Sequence, residues 1–92
     1  EIDVLLDLSI GGRFDEAEKA LSDLTGVRGI APNEVLNQCY RALVQRDIDR
    51  ALKVKLIDAI GEADFRLSEG ANSDIQMEAL IARFVLAAAE HR

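Results

Sequence analysis

Residues that build aromatic sites and disulfide bonds are scarce in this sequence. Tryptophan is absent and aromatic residues make up 4% of the 92 residues, which argues against aromatic cages and base-stacking surfaces. One proline and six glycines supply too few turns for an all-β domain. The single cysteine, Cys39, cannot form an internal disulfide. Its isolation suits a reducing compartment, and we expect the protein to be cytoplasmic.

Long apolar runs and a surplus of basic charge are missing too. The longest apolar run, residues 84–89, is far shorter than the roughly 20 residues of a bilayer-spanning helix, so we expect no membrane contact. The formal net charge is −6, from 11 basic and 17 acidic residues. Because nucleic-acid binding needs cations that neutralise phosphates, we expect no DNA binding by this segment alone.

Length and helical spacing predict the fold. Residues 1–92 are enough for one domain, and because the chain starts with Glu1 and not Met, we expect a fragment of a longer protein. Apolar residues recur at helical spacing in five segments, which predicts an all-α fold, a single compact bundle of about five helices. The stripes expected to face the core in the first four segments are Ile2, Leu5, Leu6 and Ser9; Phe14, Ala17, Leu21 and Leu24; Leu36, Cys39, Tyr40 and Leu43; and Leu52, Leu56, Ile60, Ala63 and Leu67.

Capping and stop signals place the helix ends. Thr25-Gly26 is expected to end the second helix, and Pro32 to begin the third because its missing N–H would be unpaired there anyway. Asp47 or Asp49 can cap the long fourth helix, which Gly70 should end. The Ser-x-x-Gln pattern at 73–76 predicts a capping box for the last helix.

Apolar residues beyond the core stripes indicate a contact surface. Residues 79–89 are apolar at every position except Arg83, so the last helix is either central in the bundle or turned partly toward another subunit. Gly61 interrupts the longest helix at a cost of about 1 kcal/mol relative to Ala, which a close helix approach or a kink would explain. Phe65 lies off the main stripe. We therefore take Gly61, Phe65, Arg83 and Ala87 as the candidate subunit interface.

Catalytic chemistry has no basis in these residues. The one histidine, His91, is next to the last residue, and Cys39 falls on a buried stripe. No glycine-rich phosphate loop occurs, and the acids lack metal-site spacing. We predict no catalytic, cofactor-binding or metal-binding residues, and no enzyme activity. A basic cluster between Arg41 and Lys55 could contact DNA or an acidic neighbour, but we interpret it as a solvated face, because no aromatic residue is interleaved.

Residues 53–82, KVKLIDAIGEADFRLSEGANSDIQMEALIA, resemble the C-terminal domain of the archaeal replication factor C small subunits, AAA+ sliding-clamp loaders. That family has a helix ending in Gly-Glu-x-Asp-Phe-Arg-Leu, then Glu-Gly-Ala-Asn and Ile-Gln-x-Glu-Ala-Leu, which correspond to 61–67, 69–72 and 75–80 here. More loosely, residues 12–17 look like its Gly-x-Phe-x-Glu-Ala helix start. The sequence departs from the family at 48–50, where a proline is common, and at 31–33.

The resemblance implies a collar domain, which holds the subunits of the loader in a ring. ATP and Mg would bind upstream in the parent protein, which would load the sliding clamp onto primed DNA using ATP during DNA replication. The implied partners are the other small and large clamp-loader subunits, with the clamp and primed DNA contacted through upstream domains. An independent helical protein-interaction adaptor that uses the same apolar faces is the alternative.

Overall fold

Five α-helices and no β-strand make up the computed structural model, which describes residues 1–92. The helices are α1 (Ile2–Ile10), α2 (Phe14–Ser22), α3 (Pro32–Gln45), α4 (Arg50–Ser68) and α5 (Ser73–Ala89), with a π-helical turn (Asp23–Val27) directly after α2. The predicted all-α class and the five helices are confirmed. None of the helices combines the length and the apolar character needed to cross a bilayer.

Helix α5 is the centre of the bundle, because it packs against α1, α2 and α4. Its inner side chains Met77, Leu80, Ile81, Phe84 and Ala88 are buried in a single core of 20 residues. The outer side of α5 is not covered, since Leu86 remains 64% exposed. The central position expected for this helix therefore holds for its inner side, and contact of its outer side with another subunit stays a prediction.

The predicted core stripe of α1 is confirmed in full, and that of α3 needs one correction. Tyr40 is 48% exposed, whereas Val35, which the prediction omitted, is completely buried. The buried arc of α3 runs through Val35, Leu36, Cys39 and Leu43, so Tyr40 lies at its rim. A tyrosine there keeps its hydroxyl in water while its ring lies on the protein surface.

The two signals read for α4 are confirmed. The Asp49 carboxylate caps the helix by accepting a hydrogen bond from the backbone N–H of Leu52 at 3.2 Å. Gly70 follows the helix with φ of +90°, the left-handed conformation that glycine adopts without a steric penalty.

The predicted start of α5 is wrong by one residue. The cap is Asn72, whose Oδ1 accepts a hydrogen bond from the N–H of Ile75 at 3.1 Å, and Ser73 is already helical. Asparagine caps as well as serine does, and Asn72 has the extended backbone of a capping residue. The Ser-x-x-Gln pattern is therefore not the cap.

The predicted end of the second helix is also wrong. The chain does not leave the helix at Thr25-Gly26 but continues through the π-helical turn to Val27, where the Arg28 N–H donates to the Asp23 carbonyl at 2.9 Å. Leu24 is 2% exposed and holds this turn against the core. The hydrogen bond from Arg28 to Asp23 thus carries the helical winding past the expected stop.

Candidate subunit interface

The four candidate interface residues fall into two pairs. Gly61 and Phe65 lie exposed on α4, with Phe65 61% exposed. On α5, Ala87 is half-buried against the core, and the half-buried Arg83 has an Nη1 atom shielded from solvent without a hydrogen-bond partner. The structure thus leaves the α4 pair available for contact, while Ala87 contributes to packing within the chain.

An apolar surface covers the outer sides of α4 and α5. Val54 (61% exposed) and Phe65 extend from α4, and Ile75 (63%) and Leu86 (64%) extend from α5. Residues 54, 61 and 65 share one side of α4 because they are 7 and 4 positions apart, and 75 and 86, 11 apart, share one side of α5. We call Val54, Gly61, Phe65, Ile75 and Leu86 the outer face. Apolar residues off the buried stripes were the sequence signal for Val54, Ile75 and Leu86.

Two ion pairs involve charged side chains of these two helices. Lys55 Nζ lies 2.7 Å from Glu90 Oε1, which joins the first part of α4 to the end of α5. The Lys55 ammonium holds the pKa of the Glu90 carboxyl below its usual value, chiefly through this hydrogen bond. Within α4, Arg66 Nη2 lies 2.9 Å from Glu62 Oε2. Compensated charge beside exposed apolar side chains is typical of a protein-contact surface.

A groove between α3 and α4 adjoins the outer face at Gly61. Its volume is about 230 Å³, and its lining residues are Leu36, Asn37, Tyr40, Ile57, Ile60, Gly61 and Asp64. A Cβ atom placed on Gly61 would have no other atom within 4 Å. The close helix approach expected at this glycine therefore does not occur within the chain, and α4 continues through it without interruption. We call this cavity the α3–α4 groove.

Negative charge is concentrated beside the outer face, at the start of α5. A cavity of about 620 Å³ opens between α2, the π-helical turn and the start of α5, and four acids line it. We call Glu18, Asp23, Asp74 and Glu78 the acidic edge. The Glu78 carboxyl raises the pKa of Glu18, first through a side-chain hydrogen bond and then through charge repulsion, and Asp15 adds to the repulsion.

Most of the basic cluster between 41 and 55 has partners within the chain. Arg46 bridges two carboxylates of α1, with nitrogen–oxygen distances of 3.2 Å to Asp3 and 2.7 Å to Asp7. Arg41 lies 3.3 Å from Glu34, and the other two engaged members are Lys53, bonded to the Val44 carbonyl, and Lys55. Arg50 makes no ion pair. Most of the cluster therefore forms polar contacts within the chain, chiefly between helices.

The titratable residues singled out in the sequence lie apart from one another. Cys39 is fully buried, and burial raises the pKa of its thiol to about 12. His91 Nδ1 lies 3.5 Å from the Asp49 carboxylate, the cap of α4. No three His, Cys, Asp or Glu side chains are grouped so that they could hold a metal ion.

Comparison with known proteins links this arrangement to one family of subunits. Residues 1–83 match the family model of the Replication factor C C-terminal domain. Over all 92 residues the chain is 85% identical to the Replication factor C small subunit of Methanoculleus marisnigri and 70% identical to that of Methanoregula boonei. It is 40% identical over 86 residues, 94% of the chain, to the small subunit of Halobacterium salinarum.

The chain spans 29%, 29% and 27% of the lengths of these three relatives, respectively. The family match extends from the first residue of α1 into α5 and therefore includes the outer face, except for Leu86, together with the whole α3–α4 groove. The resemblance seen in residues 53–82 is confirmed over nearly the whole chain, which belongs to the family of replication factor C C-terminal domains.

Proposed function

We propose that this chain is the collar domain of a clamp-loader small subunit and that it holds neighbouring subunits together. The observation that carries the proposal is the outer face, where Val54, Phe65, Ile75 and Leu86 are each more than 60% exposed. The core is complete without them, because its 20 buried members include none of the four. Their apolar surface is therefore free to contact another protein.

The exposed apolar area of the outer face favours association with another protein. Apolar surface left in water costs about 25 cal/mol for each Å², and burial between subunits removes this cost. Two pairs of charges beside the outer face, Lys55–Glu90 and Glu62–Arg66, are formed within the chain. A partner that covers these two pairs leaves each of their charges with its counter-ion, which lowers the penalty of burying them.

The wider role belongs to the parent protein. The matched relatives are small subunits of replication factor C, and the chain spans 29% of the longest-matching ones. We propose a cytoplasmic parent that loads the sliding clamp onto primed DNA with ATP and Mg bound upstream, and that assembles with other small and large subunits. This segment itself would have no enzymatic activity. No matched protein supports the alternative of an independent adaptor.

The test is sedimentation velocity of the chain at about 100 µM, where specific contacts of micromolar affinity are populated. We expect the wild type to associate and Phe65→Glu to be monomeric, because the substitution places a charge in the outer face. Val4→Glu is the matched control, since Val4 is 48% exposed on α1 and lies off the outer face. Circular dichroism checks that all three remain helical. A wild-type chain that stays monomeric both alone and in the presence of other clamp-loader subunits would contradict the proposal.

A further inference from the structure

Residues 90–92, directly after α5, each make a polar contact with another helix. The Glu90 carboxylate lies 2.7 Å from Lys55 Nζ, near the start of α4. His91 Nδ1 lies 3.5 Å from Asp49 Oδ2, the same oxygen atom that accepts the hydrogen bond of the α4 cap. Two consecutive side chains therefore connect the end of α5 with the start of α4.

The third of these residues, Arg92, contacts the end of α1. Its Nη2 atom donates a hydrogen bond to the carbonyl oxygen of Ile10, the last residue of α1, at 2.5 Å. The last turn of α1 contains no basic residue, so the cation that a helix C-terminus favours comes from 82 positions along the chain. A Cβ atom on Gly12 would lie 3.0 Å from Arg92 Nη2. The missing side chain at Gly12 therefore leaves room for the guanidinium.

These three contacts can open without disrupting the core. Residues 90–92 lie outside the cluster of 20 buried residues, and the side chains of Asp49 and Glu90 are each 63% exposed. Polar contacts exposed to this degree contribute little stability singly, and dissolved salt screens them. Their release should therefore cost much less free energy than unfolding of the bundle.

We propose that residues 90–92 act as a salt-sensitive clasp, which holds the end of α1 and the start of α4 together when closed and opens without unfolding the bundle. The three residues follow one another in the chain, so a movement that displaces one of them also displaces the other two. Loss of the Glu90–Lys55 pair therefore loosens the end of α1, although Lys55 lies on α4. This coupling distinguishes a clasp from three independent surface contacts, and it does not depend on association with another subunit.

Amide hydrogen exchange measured by NMR tests the clasp. The reporters are the backbone N–H groups of residues 11–13, which donate to carbonyl oxygens of α1. At low salt we expect Arg92→Ala to raise their exchange rates about two- to fivefold, the range that the loss of one exposed polar contact produces. Lys55→Met should raise the same rates, because it releases Glu90. Both substitutions are remote in sequence from the reporters, so the intrinsic exchange rates of these amides do not change.

Salt provides an independent measurement on the wild type. At about 1 M salt, charges are screened beyond about 3 Å, so the wild type should exchange at residues 11–13 as fast as Arg92→Ala does. Arg28→Ala is the matched control, since Arg28 is exposed and makes no ion pair. We expect this control to exchange like the wild type at each salt concentration.

Three outcomes would overturn the clasp. Unchanged exchange at residues 11–13 in Arg92→Ala would show that Arg92 does not hold the end of α1. Faster exchange in Arg92→Ala but not in Lys55→Met would show that the contacts are independent of one another. Faster exchange throughout the core in either variant would show that residues 90–92 do not open separately from the rest of the fold.

Discussion

Helix α4 has two apolar sides that differ in solvent exposure. Leu56 and Ala63 on its inner side are completely buried, whereas Val54 and Phe65 on its outer side remain largely exposed. The two sides belong to one continuous helix, so hydrophobicity alone does not decide which of them is covered within the chain. The inner side therefore stabilises the fold, and the exposed outer side is available for the subunit contacts proposed above.

The largest expected effect is on the inner side. Leu56→Ala should lower the free energy of unfolding by about 2–5 kcal/mol, because it leaves a cavity at a site with no solvent exposure. Phe65→Ala removes a larger side chain but should change stability by only about 0.5 kcal/mol or less, because that ring is 61% exposed. Urea denaturation of both variants measures the contrast. Equal losses in the free energy of unfolding would mean that both sides of α4 contribute equally to stability.

The cap of α5 should have the next largest effect, since it sets where this helix and its part of the outer face begin. Asn72→Ala removes the acceptor of the Ile75 N–H and should cost about 0.5–2 kcal/mol. Ser73→Ala is the matched control and should cost much less, because Ser73 is not the cap. Thermal unfolding of the two variants distinguishes them. A larger loss for Ser73→Ala would restore the capping box predicted from the sequence.

A smaller effect of opposite sign is expected at Gly61. Gly61→Ala should raise the free energy of unfolding by roughly 0.5–1 kcal/mol, because alanine is the better helix former and its methyl group meets open space. Gly70→Ala should instead be destabilising, since φ at Gly70 is +90°. Chemical denaturation of the two variants compares them. A loss of stability in Gly61→Ala would show that this side of α4 is packed after all.

The smallest expected effect concerns the acidic edge and depends on pH. The folded-state pKa of Glu18 is raised above its ordinary value of 4.5 by Glu78 and Asp15, so the ionised carboxylate destabilises the fold. This penalty is present at neutral pH and fades as the pH falls through the raised pKa, because the folded state then takes up the proton more readily. Glu18→Gln should therefore unfold at a slightly higher temperature than the wild type near pH 7.

The same two proteins should unfold at more similar temperatures below pH 4.5, the ordinary pKa of Glu18. Thermal scans across this range measure the difference. Glu16→Gln serves as the control, since Glu16 lies 2.6 Å from Arg13 and its removal gives no gain at neutral pH. A stability difference independent of pH would contradict the repulsion between Glu18 and Glu78.

Local signals predicted much of the fold because they depend on a few neighbouring residues. The Asp49 cap, Pro32 as the first residue of α3 and the left-handed Gly70 all follow from backbone geometry. The errors arose where several choices are nearly equal or where packing decides. Asn72 and Ser73 are equivalent caps by type, and the π-helical turn that contains the buried Leu24 continues the second helix beyond the expected stop.

The candidate interface could be predicted only in part. Phe65 was identified as lying off the core stripe, and its exposure agrees with that position. The acidic edge was not foreseen, because Glu18 and Glu78 are 60 residues apart in sequence and meet only when α2 packs against α5. The α3–α4 groove likewise requires Tyr40 and Gly61 to lie on adjacent helices. Such surfaces depend on tertiary contacts that helical spacing does not encode.

The buried thiol of Cys39 can report how often the folded protein opens. Only the thiolate reacts quickly with an alkylating reagent, and a fully buried group with a pKa of about 12 forms almost none. Alkylation therefore requires the core around α3 to open. The rate of alkylation measures this opening in the native protein without an added label. A neighbouring subunit bound to α3 would stabilise the closed form by mass action and lower the rate of Cys39 alkylation.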